Sequence, residues 1–436
     1  SGVYSWSIGN ADTATGIASV AMGTQNRSAG LSSFALGYKT VATGQSSISL
    51  GQENYDSGWA SLAAGHKNSI SEVVSYSSAL GYNNQLKQGW SNTAIGESNI
   101  IKGGRANSIL GIVNNANGNY NSLFGNNNET IGGNANMLAG EQNIVTAGNS
   151  NIVLGFNNTT AGNFNHLSGT TNSVIAGNSN LLSGETNSML SGNSNILVGL
   201  SNTASSNFSA AFGKLNNVFY QSAVAMGQGN KDSGWASVTG GVTNIIENNV
   251  LYSASFGINN LSTKNQSLLL TIPGAATFSA GASNVNSGYG SIALGGFNRP
   301  GNLFSLAANH NTISNSYAMS AFGHFNDTTV SYPGENYEPN EILFAIGNGV
   351  SNNARRNSFT VLRNGFTSIN STTESGPAVP RAELDIKGTG AIIVPVGTSA
   401  QRPETPVVGM IRFCSDCGTG GAGLMQGYNG NEWVNL

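Results

Sequence analysis

Ionisable side chains are what this sequence has least of. Its 436 residues carry 17 Lys and Arg, 20 Asp and Glu and 4 His, so charged residues make up 8% of the chain against roughly 25% in an ordinary soluble domain. General acids, bases and metal ligands are therefore scarce, which argues against an enzyme and implies no cofactor. A net charge of −3 leaves no basic surface to follow phosphates, so nucleic acid is not an expected partner. No segment approaches the roughly 18 consecutive apolar residues of a membrane helix, and no signal-peptide core follows Ser1, so membrane insertion is not expected and the chain reads as processed or excised. Disorder is excluded too, because 39% of the residues are hydrophobic and they fall at regular intervals.

What the chain has instead is glycine, asparagine and a short period. Glycine accounts for 59 residues, about twice the usual share. A unit S/N-x-A/L-x-G-x-x-N recurs, as in Ser19, Ala21, Gly23, Asn26, then Ser61, Ala63, Gly65, Asn68, then Asn151, Val153, Gly155, Asn158, then Ser291, Ala293, Gly295, Asn298. Its glycine returns at a nearly constant short spacing from Gly9, Gly23 and Gly37 through to Gly257, and a second glycine lies half-way round, at Gly16, Gly30, Gly44 and Gly58 and later at Gly148, Gly162, Gly177 and Gly192.

So short a period cannot hold a helical or leucine-rich repeat. It suits one coil of a narrow parallel β-solenoid, read as two strands of about four residues and two Gly/Asn turns. Glycine is expected to supply positive φ at the turns, and Asn128, Asn143, Asn158, Asn172, Asn187 and Asn202 are expected to stack as an amide ladder. From Gly9 to Gly323 there is room for roughly 22 coils, a rod on the order of 100 Å long. GQENYDSGWAS at Gly51 returns as GQGNKDSGWAS at Gly227, and YSSALGYNN at Tyr76 returns as YSASFGINN at Tyr252. Both returns have the same offset, which indicates a duplicated block with insertions at Glu72 and Glu247.

Alternation within a strand sends Ser19 and Ala21 to one side and Val20 and Met22 to the other. Phe34 and Leu36, Ile48 and Leu50, Ile152 and Leu154, Ile196 and Val198, and Ile292 and Leu294 repeat the large set. Such a stripe is too extensive for a monomer to leave in water and is expected to be buried against further copies of the chain. Leu138, Leu167 and Leu182 occupy the supposedly small positions, so which set faces which core stays open at this point.

The S-x-A-x-G-x-x-N unit with its half-way glycine resembles the head repeat of YadA-like trimeric autotransporter adhesins, over roughly Ser1 to Asn326. The resemblance implies a left-handed β-roll assembled as a tight homotrimer. The middle coils depart from that family in being slightly longer and in their many asparagines. No heptad run and no set of amphipathic membrane strands is present, so the family's stalk and anchor barrel are not expected here. Asp327 to Glu341 breaks the period. Ile342 to Ile369 then resembles the end of phage tail fibre shafts, and Ala382 to Leu436 resembles the small β-domain that closes many phage and bacterial fibres, with strands at Ala391 to Pro395, from Gly409 and at Glu432 to Leu436. The expected fold is all-β, a parallel β-roll or β-solenoid of about 14-residue coils, homotrimeric, with a small C-terminal β-domain. Its divisions are 1–326, 327–380 and 381–436.

Individual residues carry few chemical signals. Cys414 and Cys417 form C-x-x-C without the two further ligands of a zinc site, leaving a local or inter-chain disulfide, free thiols, or metal or redox chemistry as alternatives. His310 and His324 are one coil apart, a spacing open to a metal or pH-sensing pair or to ordinary surface positions. Glu97, Glu141 and Glu185 are three coils apart, roughly 14 Å, too far for a glycosidase pair. Glu335, Glu338 and Glu341 cluster in the period-breaking loop, as a solvated patch or a cation site. Trp59, Trp90 and Trp235 each follow a half-way glycine at one edge of the rod, for packing between chains or stacking on sugars. Candidate receptor contacts are Trp59, Trp90, Trp235, Tyr332, Tyr337, Glu335 and Glu338. Ice-binding solenoids need a flat T-x-T array, which is not seen, and calcium rolls need a repeated Asp.

The expected function is attachment. A phage or phage-like tail fibre would bind a glycan or protein receptor on a bacterial surface. The alternatives are a bacterial surface adhesin or self-assembling extracellular filament and, less favoured, a polysaccharide-degrading tailspike.

Overall fold

A computed structural model describes residues 2–248, 250–264, 276–328, 338–369, 380–388 and 390–436. Each coil is a five-residue strand, a tight turn, a two-residue strand and a second turn. Trp6–Asn10 pairs in parallel with Val20–Thr24, and that strand with Phe34–Tyr38, so that Gly9, Gly23 and Gly37 stand in one column. The pattern runs on to Ser320–His324 in a sheet of twenty-six strands, and only the last four, from Ile342 onward, leave the repeat. Twenty-two coils therefore stack among the described residues, as the glycine spacing predicts. The opposite wall is a parallel ladder of two-residue strands, Thr13–Ala14 on Arg27–Ser28 on Val41–Ala42. The second strand is shorter than expected because the two turns take up the remaining residues.

The small set faces inward. Ala21 is fully buried, whereas Val20 and Met22 stay half-exposed on the outer face. Each coil buries one side chain from each wall. Ala79 sits in the coil of Leu86 and Ala94 in that of Ile101, whereas Leu123 accompanies Thr130, Leu167 Val174 and Leu197 Ala204, all buried. Leu138, Leu167 and Leu182 are thus interior residues, and in their coils Val145, Val174 and Met189 add buried bulk from the short strand as well. Interior bulk rises from coils such as Ala35 with Ala42 to coils such as Leu182 with Met189, so the middle of the shaft holds the larger core.

Glycine supplies positive φ at the half-way turn of the middle coils as expected, with φ of 97–132° at Gly148, Gly162, Gly177 and Gly192, but not at the turn after the long strand. The left-handed turn residues are Gln25, Lys39, Glu53 and Lys67, with φ of 53–59°. The repeat glycine lies before them, inside the strand, at φ of 127° for Gly23, where an added Cβ would stand 2.2 Å from the carbonyl oxygen of Gly37 in the next coil. It is needed for close approach between coils as well as for its backbone angle. The ladder asparagines are not at positive φ either.

The ladder itself is as expected. Asn158 is fully buried. Its Nδ2 donates to Asn143 Oδ1 at 3.0 Å, to the Leu154 carbonyl at 3.1 Å and to the Gly169 carbonyl at 2.9 Å. Its Oδ1 accepts from the backbone N and Nδ2 of Asn172 at 2.9 and 3.1 Å. The same bonds join Asn128, Asn143, Asn172, Asn187 and Asn202. A second buried column, from Asn92 through Asn107, Asn121, Asn136, Asn151, Asn165 and Asn180 to Asn195, precedes the long strands. Asparagine is enriched in the middle coils because both columns use it there.

The far end of the roll is closed. Ile342–Asn348 adds in parallel to Ser320–His324, with Gly347 opposite Gly323, and Asn357–Leu362 and Thr367–Ile369 then follow antiparallel. Met319, Ala321, Ile342, Ala345 and Leu362 form a buried cluster beneath them, with Phe366 against it. Glu341, expected in the exposed acidic cluster, is instead fully buried, with its Oε2 3.1 Å from Nε of Arg363, whose guanidinium lies 5.3 Å from the ring of Tyr317. Burial raises the Glu341 pKa and Arg363 opposes that shift.

The strand Leu384–Ile386 pairs with Thr367–Ile369 and so continues the shaft sheet rather than opening the C-terminal domain. Ala391 to Pro395 is not a strand, and Ile393 is 90% exposed. Among the described residues only its last carbonyl, that of Pro395, meets a neighbouring strand, accepting from Phe413 N at 2.9 Å, and an apolar sequence without such pairing is not enough to make a sheet. The C-terminal sheet has four strands, Val396–Gly397, Ile411–Cys414, Leu424–Tyr428 and Trp433–Asn435, the first pair parallel and the rest antiparallel.

Candidate recognition surfaces

The outward positions of the long strands form one apolar face along the shaft. Leu36, Ile48, Ile95, Leu110, Phe124, Met137, Ile152, Ile196, Phe212, Met226, Phe256, Phe278, Ile292 and Leu294 are all exposed, Ile152 by 39%. Parallel register stacks them coil on coil, so they make a stripe along most of the shaft, interrupted where His166 and Ser168 take both outward positions of one coil. Monomeric proteins seldom leave so large a contiguous patch in water.

One edge of the shaft carries the tryptophans. Trp59, Ser75, Trp90 and Arg105 are successive members of one column. Trp59 packs on Tyr76 with centroids 4.7 Å apart, and the duplicated pair Trp235 and Tyr252 lies at 5.0 Å. The Arg105 guanidinium lies 5.6 Å from the Trp90 ring and 6.0 Å from that of Tyr120. The column continues as an asparagine ladder that the sequence reading missed. Asn119 accepts the Arg105 backbone N at 3.0 Å, and Asn119, Asn134, Asn149, Asn163, Asn178, Asn193 and Asn207 then bond side chain to side chain. The recurring Gly-Asn-x-Asn at the half-way turn was its signal. From Asn119 to Asn193, each Nδ2 of this outer ladder makes one hydrogen bond within the protein, whereas that of Asn158 makes three.

Other expected sites are dispersed. Tyr332, Glu335 and Tyr337 lie outside the described residues. Glu338 is exposed, and its backbone carbonyl accepts from the Glu341 N at 3.0 Å. Glu97, Glu141 and Glu185 stand three coils apart in one column. His310 and His324 are in register, His310 between the rings of Phe297 and Phe325, and His324 Nδ1 2.6 Å from the Gly349 carbonyl. Cys414 and Cys417 are joined in a disulfide, so their sulfurs do not form a metal set with nearby Asp416.

Two buried carboxylates were also missed. Asp56 and Asp232, equivalent positions in the two copies of the duplicated block, fill the interior position of the short strand and are fully buried. Each Oδ1 accepts from a serine hydroxyl, Ser61 or Ser237, and from a glycine N at 3.1 Å, while each Oδ2 has no hydrogen-bond partner among the described residues. Desolvation pushes their pKa up, to about 6 for Asp56 and about 7 for Asp232, against the hydrogen bonds. The native state therefore holds protons that the unfolded chain releases near pH 4, so stability falls as pH rises from about 4 to 7. Asn286 occupies the same column and uses its Nδ2 on the carbonyls of Phe278 and Ser291 at 3.0 and 3.1 Å. Asp56→Asn combined with Asp232→Asn is expected to raise stability at pH 8 by on the order of 2–4 kcal/mol per site. It should also flatten the pH dependence of urea unfolding between pH 5 and 8. An unchanged pH profile would show that the two carboxylates are ionised in the fold.

The fold defines a parallel β-roll repeat protein with regular outer surfaces. Among known families, the YadA head domain repeat matches twice, at residues 14–40 and 28–54, and the Grass antifreeze beta roll matches residues 153–248. No curated protein matches the chain. With the coil geometry, the two matches support a YadA-like β-roll repeat protein of adhesin or fibrous kind. Neither match reaches Ile342 to Ile369 or Ala382 to Leu436, the segments that resemble fibre ends. No helix among the described residues is long and apolar enough to cross a membrane.

Proposed function

We propose that the chain is the shaft and tip of a homotrimeric extracellular fibre that attaches to a bacterial surface, as in a phage or phage-like tail fibre, by non-catalytic contacts. The observation that carries this reading is the apolar stripe along most of the shaft, whose simplest occupant is the same stripe on two further copies. Three identical weak surfaces then bind a glycan or protein receptor together, and the gain comes from effective concentration rather than from a deep pocket. Light scattering with negative-stain imaging is expected to give a mass about three times 44.7 kDa on a rod on the order of 100 Å long. Ile152→Lys with Ile196→Lys should shift that mass toward the single chain. A wild-type monomer would overturn the shared core.

The matches to head repeats favour a second reading, a bacterial surface adhesin or extracellular filament. A receptor displayed on host cells rather than on bacteria would distinguish it. Ice binding is suggested by the name of the family matching residues 153–248, yet the outward positions there include Leu154, His166, Leu181, Val198 and Phe212 rather than a T-x-T array. No thermal hysteresis is therefore expected.

A further inference from the structure

The C-terminal sheet holds two guanidinium groups, each with a buried Nε and without a carboxylate. Arg412, 5% exposed, donates through Nη2 to the Thr398 carbonyl at 2.8 Å and lies 5.8 Å from the Trp433 ring, while its Nε has no partner among the described residues. Half-buried Arg402 donates to Gln426 Oε1 at 3.0 Å and approaches Cys417 Sγ at 3.3 Å, and its Nε is likewise unpartnered. Neither forms an ion pair among the described residues. The acid nearby, Asp416, is engaged by the backbone N and hydroxyl of Ser399. A desolvated cation with no counter-ion is strongly unfavourable, and an incoming anion would relieve it.

Arg412 also lines a cavity of about 490 Å³, within the range of ligand sites. Pro395, Pro403, Met410 and Trp433 supply apolar walls and Gln401 an amide. Gly397 keeps space in front of the cation, because a Cβ there would stand 2.9 Å from Arg412 Nη2 and 3.2 Å from Gln401 Oε1. A buried positive charge, an amide and an aromatic wall together fit a ring that bears a carboxylate and hydroxyls.

We propose that this cavity binds an acidic sugar, a hexuronate, with its carboxylate on Arg412, a hydroxyl on Gln401 and its C–H face toward Met410 and Trp433. The proposal deepens the attachment reading and rests on it only for where the sugar comes from, since a free hexuronate and a uronate in a surface polymer present the same group. Calorimetric titration of the whole chain with glucuronate, glucose, acetate and a polyglucuronate tests it. Glucuronate is expected to bind at least tenfold more tightly than glucose or acetate, and less tightly as salt rises. Arg412→Gln should remove at least tenfold of that affinity. If that variant fails to fold, Gln401→Ala, at an exposed position, should weaken glucuronate several-fold with the circular dichroism unchanged. Binding of free glucuronate alone assigns a free or terminal acid, and binding of the polymer as well assigns a chain. Equal binding of glucose and glucuronate, or no heat with glucuronate, would overturn the proposal. Neither result touches the mass measurement that tests the trimer.

Discussion

Gly155→Ala is expected to abolish the folded shaft around it, a loss larger than about 4 kcal/mol and beyond what single substitutions usually cause. Gly155 has φ of 112°, and an added Cβ would lie 2.1 Å from the Gly169 carbonyl oxygen and 3.0 Å from its carbon. Both atoms belong to the backbone of the next coil, which is held in register by five paired positions. Relief requires the coils to separate, and separation breaks the ladders on both walls. Because each coil touches only its neighbours, the damage should split the shaft into two independently melting halves rather than lower one transition. Gly132→Ala is the control, since nothing lies within 4 Å of a Cβ there. Thermal melting followed by circular dichroism reads both. A single transition within a few degrees of wild type for Gly155→Ala would mean that the coils can spread.

Asn158→Ala should come next in size. It leaves the Leu154 and Gly169 carbonyls without that donor and the buried Asn172 N without its side-chain acceptor. Buried groups stranded in this way cost about 1–3 kcal/mol each, so a loss on the order of 3 kcal/mol or more is expected in urea unfolding. Asn163→Ala removes the corresponding bonds to Asn149 and Asn178 in the half-exposed outer column, where water replaces them, and should cost under about 1 kcal/mol. Asn158→Thr should recover part of the loss, because Thr40 fills the same column naturally and directs its N and Oγ1 to Asn26 Oδ1 at 3.0 and 2.8 Å. Equal losses for Asn158→Ala and Asn163→Ala would mean that burial does not distinguish the two ladders.

The candidate surfaces were unevenly legible. The tryptophan edge follows from the half-way glycine, because a residue at fixed offset in a fixed period must fall in one column. The exposed asparagine ladder was equally periodic but lay inside a turn motif read only as turn. Arg412 left no signal, since Thr398, Gln401 and Trp433 reach it from separate strands and loops of an aperiodic domain. Glu341 looked like one acid among three in a loop, and only the pairing of Ile342–Asn348 with the shaft sheet carries it under the cap to Arg363.

What the sequence determined by itself is most of what repeats: the coil, its register, the asparagine ladder at the turns and the coil count. A period is a local property, and identical local units stacked in parallel have one way to align. The tertiary structure decided what depends on neighbours across a coil or beyond the repeat. Which set of side chains faces inward, whether Asp56 and Asp232 meet water, where the shaft sheet ends and which cation faces a cavity are all set by volume and desolvation shared between residues distant in sequence. No spacing rule encodes those quantities, because they belong to the packed coil and not to the strand.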